Sequence, residues 1–137
     1  MAIFETDAGA CGSVVVSQVS PGRKNRLWFS FAGPAASYSF DQELPDSLWV
    51  GSSAANRMVM RDPNTLAEAA APCSPLPAGH PQGYQDAFNA FVGDVLAAMA
   101  GGEPDGLPTF TDGLRASVLT QAVVDAARTN SWVEVPT

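Results

Sequence analysis

The chain has 137 residues, 46% of them hydrophobic, which is the size and composition of one globular domain. Seven Lys and Arg residues against 14 Asp and Glu residues give a net charge of −7, so nucleic acid and anionic membrane surfaces are poor partners. Two cysteines and one histidine are too few for a four-ligand zinc site or a disulfide framework. Because we find no basic secretory leader and no apolar run of bilayer length, we expect a cytoplasmic protein without a membrane segment.

The first half of the chain has the alternating pattern of β-strands. Turn residues separate six predicted strands, at residues 1–5, 11–20, 26–32, 36–40, 47–50 and 58–60. Asp7 and Gly9 stand between the first two strands at positions that favour a hairpin. The later strands follow one another through short connections, which predicts an antiparallel meander.

The second half of the chain has helical periodicity, after an irregular segment. Residues 62–79 contain four prolines and predict a long loop, with a short helical turn that ends near Glu68. Apolar residues at spacings of three and four then predict a helix from Pro81 to Gly101-Gly102. A second helix is predicted to start from a cap at Thr111 or Asp112 and to run to about Arg128, and residues 131–135 predict a closing strand.

Strands followed by helices predict an α+β fold. We expect an open, mainly antiparallel sheet with two principal helices packed on one face. The strands carry too many large apolar residues for one face alone, and the three tryptophans are expected in the core or at an interface. The other face is therefore predicted to be an interface in a homo-oligomer.

His80 is the only imidazole in the chain and allows two interpretations. It is either a residue at the start of a helix that satisfies backbone groups, or a neutral ring, kept so by the helix N-terminus, that hydrogen-bonds a substrate hydroxyl. Cys11 and Cys73 lack a basic neighbour in sequence that would lower the thiol pKa, so both are interpreted as inert.

Charged residues cluster at two predicted turns. Arg23, Lys24, Asn25 and Arg26 form either a solvated hairpin tip or a polar contact with a ligand or a neighbouring domain. The acidic turn that carries Asp41, Glu43 and Asp46 is close-spaced enough to suggest a metal, but a solvated turn is the favoured interpretation. The sequence contains no Gly-rich phosphate loop, no nucleophile elbow and no paired-histidine metal motif, so we assign no catalytic, cofactor or metal residue.

The C-terminal part resembles the end of Gfo/Idh/MocA-type oxidoreductases. The resemblance is carried by HPQGYQDAFNAFVGDVLAAMAGG and by PTFTDGLRASVLTQAVVDAARTNSWVEV, which match that family's His-Pro-x-Gly-Tyr helix start, its Phe-x-Asp-Gly cap and its aromatic final strand. SVVVSQVSPGRKNRLWFSFAG and SFDQELPDSLWVG are similar to the preceding sheet strands. The resemblance covers nearly the whole chain and implies one domain over residues 1–137, equivalent to the family's C-terminal substrate and oligomerisation domain.

The same resemblance implies which parts of the enzyme lie elsewhere. Full-length members begin with a Rossmann domain that binds NAD or NADP, and they carry a Glu-Lys-Pro lysine as acid/base; neither motif occurs here. The chain is thus expected to be inactive alone, as the substrate side of a sugar or cyclitol-type dehydrogenase. His80, Arg23, Lys24, Asn25 and Tyr84 are the candidates for contact with a small polyhydroxylated substrate. The alternative is a non-enzymatic binding or scaffold module, which the coding region upstream of Met1 would distinguish.

Overall fold

The structure, a computed structural model, describes residues 1–136. It divides into two compact units, one formed by Met1–Pro21 with Gly106–Thr137 and the other by Gly22–Asp105. The elements in chain order are β1 (Ala2–Glu5), β2 (Cys11–Val14), β3 (Trp28–Ala32), β4 (Ser37–Asp41), β5 (Ser47–Gly51), β6 (Asn56–Met60), a 3-10 helix (Glu68–Cys73), α1 (Tyr84–Met99) and α2 (Phe110–Thr129).

The Gly22–Asp105 unit contains a four-stranded antiparallel sheet in the order β3-β4-β5-β6. Directly paired residues point to the same side of a sheet. The register therefore defines an aromatic face, made of Phe29, Phe31, Tyr38, Phe40, Leu48, Val50, Arg57 and Val59. Phe29 packs against both Phe31 and Phe40, with ring centroids 5.4 and 5.3 Å apart. Even so, Val50 is the only buried apolar residue among residues 1–136, and Phe31 is 67% exposed.

The opposite face of the sheet carries small and polar residues together with two tryptophans and two methionines. It consists of Trp28, Ser30, Ala32, Ser37, Ser39, Asp41, Ser47, Trp49, Gly51, Asn56, Met58 and Met60. The Trp49 ring lies over Gly51, because a Cβ on that glycine would come within 2.3 Å of the indole. A side chain at position 51 would therefore displace the indole from the sheet.

Helix α1 starts later than the sequence predicts. The prediction placed Pro81 at its first position, but the first helical residue is Tyr84 and the N-cap is Gly83. The Gly83 N–H donates to the Asp86 carboxylate at 2.9 Å, which satisfies one of the free N–H groups of the first turn. Gly101 follows with a positive φ of 90°, in agreement with the predicted stop. Within its unit, α1 contacts the 3-10 helix.

The other unit contains the β1–β2 hairpin and helix α2. The predicted hairpin is confirmed, with Phe4 opposite Gly12, although β2 is shorter than predicted. The predicted cap of α2 is wrong: the N-cap is Thr109, not Thr111 or Asp112. The Thr109 hydroxyl accepts from the Asp112 N–H while the Asp112 carboxylate accepts from the Thr109 N–H, so the two residues satisfy each other.

The predicted strand at residues 131–135 is not formed. Asn130 adopts a left-handed conformation with φ 52°, and the following residues have no strand partner among residues 1–136. Arg115 Nη1 donates to the Pro136 carbonyl oxygen. Arg115 lies roughly 21 Å from the C-terminal end of α2, and the six residues after Asn130 span about the same distance when extended. Residues 131–136 therefore run back along the helix. Val133 and Val135 are partly buried, which explains the alternating sequence without a sheet.

The predicted fold class is confirmed. The chain combines an antiparallel four-stranded sheet, a two-stranded sheet and two main helices, which is an open-sheet α+β fold. Neither of the main helices, nor any other helix of the described chain, is both long enough and apolar enough to cross a bilayer.

Candidate functional site

Arg61 lies directly after β6 and connects the sheet to the proline-rich segment. Its side chain is only 12% exposed. Nε donates to Asp46 Oδ1 at 2.7 Å, and Nη1 donates to Ser74 Oγ and to the Leu76 carbonyl oxygen, both at 2.8 Å. Nη2 donates to the carbonyl oxygens of Pro77 at 3.4 Å and of His80 at 2.5 Å. We call these residues the Arg61 cluster.

A cavity of about 570 Å³ adjoins the Arg61 cluster. Its walls come from both partners that the arginine joins: Asp46, Met60, Arg61, Asp62, Ala78, Gly79 and Pro81. This volume lies in the range of small-molecule sites, and the carboxylates of Asp46 and Asp62 can accept hydrogen bonds from hydroxyl groups. The cavity is therefore the candidate site of the Gly22–Asp105 unit.

His80 is exposed and adjoins two of the residues that line this cavity, Gly79 and Pro81. Its N–H donates to the Pro77 carbonyl at 3.2 Å and its own carbonyl accepts from Arg61. The main chain of His80 is thus held within the loop itself. His80 also lies three residues before the N-cap Gly83, and the electrostatic effect of a helix N-terminus falls off within the first turn.

The basic cluster of residues 23–26 is engaged in ion pairs with the acidic turn. Arg23 Nη1 lies 2.6 Å from Glu43 Oε2. Arg26 binds Asp41 through two nitrogens, with Nε 3.0 Å from both carboxylate oxygens and Nη2 2.5 Å from Oδ2. The hydrogen bonds from Arg26 contribute most to lowering the pKa of the Asp41 carboxyl. Burial opposes them as the second-largest effect, and the Glu43 N–H and the charges of Arg26 and Arg23 add smaller lowering contributions.

The carboxylates of the acidic turn are engaged in ion pairs. Asp41 and Glu43 pair with Arg26 and Arg23, and Asp46 pairs with Arg61. Each carboxylate of the turn already has a guanidinium partner. In residues 1–136 no group of His, Cys, Asp and Glu side chains is placed to hold a metal ion.

The Arg26–Asp41 pair makes stability depend on pH. A carboxyl whose pKa is lower in the folded chain stabilises it above the unfolded value of 3.8, and this contribution disappears as the pH falls through the folded pKa. We expect the thermal midpoint of the wild-type chain to fall more steeply below about pH 4 than that of Asp41→Asn. Thermal unfolding followed by circular dichroism across this range measures the difference. Parallel curves for the two chains would contradict the assignment.

Four of the five predicted site residues fall into two places in the Gly22–Asp105 unit, and Tyr84 lies apart from both. His80 belongs to the Arg61 cluster, which includes Asp46 at one end of the acidic turn. Arg23 instead binds Glu43, which lies nearer the other end of that turn. Asn25 has a positive φ of 62°, as in a tight turn, and Lys24 is exposed beside it. Tyr84 is 74% exposed at the start of α1 and stacks on Phe88, with ring centroids 6.5 Å apart. No hydrogen bond or ion pair in residues 1–136 joins these two places.

Sequence reasoning missed Arg61, the best-connected side chain of the site. Its sequence neighbourhood, Arg61-Asp62-Pro63, is that of an ordinary exposed strand end. The only signal was indirect: a segment with four prolines has few N–H donors of its own, so its carbonyl groups need a donor from elsewhere.

The described residues do not fit a dinucleotide cofactor. Such a cofactor is held by a strand that leads through a glycine-rich turn directly into a helix N-terminus. In residues 1–136 no strand leads directly into a main helix: β6 is followed by the 3-10 helix and a long loop before α1, and β2 is followed by β3. The described residues therefore contain no strand–turn–helix unit of that kind.

Comparison with known proteins identifies relatives among oxidoreductases. No family model matches the chain. Levoglucosan dehydrogenase from Pseudarthrobacter phenanthrenivorans is 33% identical in an alignment 135 residues long, which covers 93% of this chain and 33% of that protein.

Solved structures give the same result. An oxidoreductase from Sinorhizobium meliloti matches with a TM-score of 0.76 and 29% identity, over 86% of this chain and 35% of that one. An oxidoreductase domain protein from Kribbella flavida matches with a TM-score of 0.82 and 25% identity, over 98% and 36%. A levoglucosan dehydrogenase complex with NADH and levoglucosan matches with a TM-score of 0.77 and 26% identity, over 98% and 37%.

The chain spans about a third of the length of each of these relatives. Its similarity to them nevertheless extends over most or all of its own residues, in sequence and in fold. The resemblance found in the sequence is thereby confirmed: the chain is homologous to a segment of the Gfo/Idh/MocA-like oxidoreductases.

Proposed function

We propose that the chain is the C-terminal, substrate-side domain of a cytoplasmic NAD(P)-dependent dehydrogenase that acts on a sugar or cyclitol. The observation that carries this proposal is the extended match, over 98% of the chain, to a levoglucosan dehydrogenase structure that contains NADH and levoglucosan. A further structure of that enzyme contains L-sorbose in place of levoglucosan. Both sugars are small and polyhydroxylated, as the proposed substrate class requires.

In this proposal the chain orients the substrate and the rest of the enzyme performs the redox step. The cofactor supplies hydride transfer. The cavity beside the Arg61 cluster offers Asp46 and Asp62 as acceptors for substrate hydroxyls, and His80 offers a ring that can donate and accept. Holding a flexible polyol in one orientation lowers the entropic part of the barrier. A domain that supplies no catalytic acid or base can contribute to the rate in this way.

The proposal includes self-association through the sheet. Phe29, Phe31, Tyr38 and Val59 are exposed on the aromatic face, and monomeric proteins rarely leave such contiguous apolar patches open. A two-fold contact that uses the same face on both copies is the commonest way to bury such a patch. We propose a homo-oligomer of this kind in the intact enzyme.

Cofactor titration tests the division of labour between this chain and the rest of the enzyme. Because the described residues contain no dinucleotide-binding turn, we expect no saturable binding of NADH or NADPH to the 137-residue chain in isothermal titration calorimetry. Binding tighter than about millimolar, or about −4 kcal/mol, would contradict the proposal. Full-length levoglucosan dehydrogenase, whose structure contains NADH, is the positive control.

A further inference from the structure

Every N–H group of the Arg61 guanidinium has an acceptor. Arginine carries five such donors in a rigid planar fork. They are distributed over the Asp46 carboxylate, the Ser74 hydroxyl and the main-chain oxygens of Leu76, Pro77 and His80. Lysine has three donors on one nitrogen and cannot span acceptors that surround a fork.

The acceptors come from segments that are distant in sequence. Asp46 precedes β5, and the three carbonyl groups belong to the loop between the 3-10 helix and α1. Pro75, Pro77 and Pro81 in this loop lack an N–H, so the loop has few internal donors with which to fix its own shape. Arg61 supplies hydrogen-bond donors to the loop carbonyl groups, which proline nitrogen atoms cannot do.

We propose that Arg61 is a positioning residue that fixes the main chain at His80 beside the 570 Å³ cavity. Asp46 in turn holds the guanidinium in the orientation that the loop carbonyls require. The functional part of this inference, that the fixed loop is a wall of a polyol site, rests on the proposed function. Its structural part concerns only the chain's own residues and can be tested separately.

The experiment compares Arg61→Lys with Arg57→Lys in the full 137-residue chain. Arg57 lies on β6, four residues before Arg61, and is exposed, so it controls for the substitution itself. Hydrogen exchange of the His80 amide, which donates to Pro77, reports opening of the loop, and the His80 ring signals in a proton–carbon NMR spectrum report its surroundings.

We expect Arg61→Lys to speed exchange of the His80 amide at least about tenfold and to shift its ring signals, while the β4 and β5 amides keep their protection. Arg57→Lys should change neither. Asp46→Asn, which keeps an oxygen acceptor and loses the charge, should have a smaller effect in the same direction. In Arg61→Ala, millimolar guanidinium should restore the His80 signals and methylammonium should not.

Three results would overturn the inference. The first is an unchanged exchange rate of the His80 amide in Arg61→Lys. The second is a loss of protection in the sheet as well as at His80, which would make Arg61 a general structural residue. The third is a failure of guanidinium to restore the His80 signals in Arg61→Ala. None of these readouts requires cofactor or turnover. Binding of NADH to the chain would contradict the proposed function but not the role of Arg61. An unchanged His80 exchange rate would contradict the role of Arg61 but not the proposed function.

Discussion

Phe31→Asp is expected to dissociate a homo-oligomer of this chain. Phe31 lies on the aromatic face and is 67% exposed, so a partner that covers this face buries it. Full burial of a phenylalanine contributes about 1.5–3 kcal/mol, and a carboxylate in its place adds a desolvation cost. The dissociation constant should therefore rise at least roughly 10- to 100-fold. Sedimentation velocity over a wide range of concentration measures the shift.

Met58→Asp is the matched control for this prediction. Met58 lies on the opposite face of the same sheet and is 55% exposed, so the substitution places the same charge at a similarly open apolar position. We expect its oligomeric state to equal that of the wild-type chain. A wild-type chain that stays monomeric at every concentration would refute self-association. Dissociation by Met58→Asp alone would place the partner on the other face.

In the proposed full-length dehydrogenase, His80→Ala is expected to lower kcat/KM and to leave the affinity for NADH unchanged. A ring that exchanges hydrogen bonds with a substrate hydroxyl leaves that hydroxyl unpaired when it is removed. The cost is about 1–3 kcal/mol, or roughly 10- to 100-fold. Steady-state kinetics with a polyol substrate measures the loss. His80→Asn, which keeps a donor and an acceptor, should recover part of it.

Two outcomes would contradict a role for His80 in substrate binding alone. Unchanged kinetics with a lower thermal midpoint would mean that the residue serves only the loop. Complete loss of turnover while the substrate still binds would mean that the ring takes part in the chemical step, which the proposal assigns to groups outside this chain.

The strand meander could be predicted because strand alternation is a local property. The runs at residues 47–50 and 58–60 appear in the structure as Ser47–Gly51 and Asn56–Met60. Tyr38 and Phe40 lie on the same face of the sheet, as the period of two predicts. The cap of α2 could also have been found. Thr109 and Asp112 have the spacing of three that reciprocal capping requires, whereas Thr111 has no such partner.

Other features depend on contacts between distant residues and leave no local pattern. The alternation at residues 131–135 indicates one buried side, and packing along α2 produces it as well as a sheet would. Arg61 could not be distinguished from an exposed arginine, because its acceptors lie 13 to 19 residues away in the sequence. The pairing of Arg23 and Arg26 with the acidic turn likewise spans 15 to 20 residues.

The acidic turn has a consequence for the electric field of the chain. Asp41, Glu43 and Asp46 are neutralised in place by Arg26, Arg23 and Arg61. These pairs use three of the seven basic residues but only three of the 14 acidic ones, so four positive charges face 11 negative charges over the remainder. Within a Debye length of about 8 Å that surface repels anions. A ligand that carries phosphate groups therefore meets an electrostatic barrier at this surface, and an uncharged ligand does not.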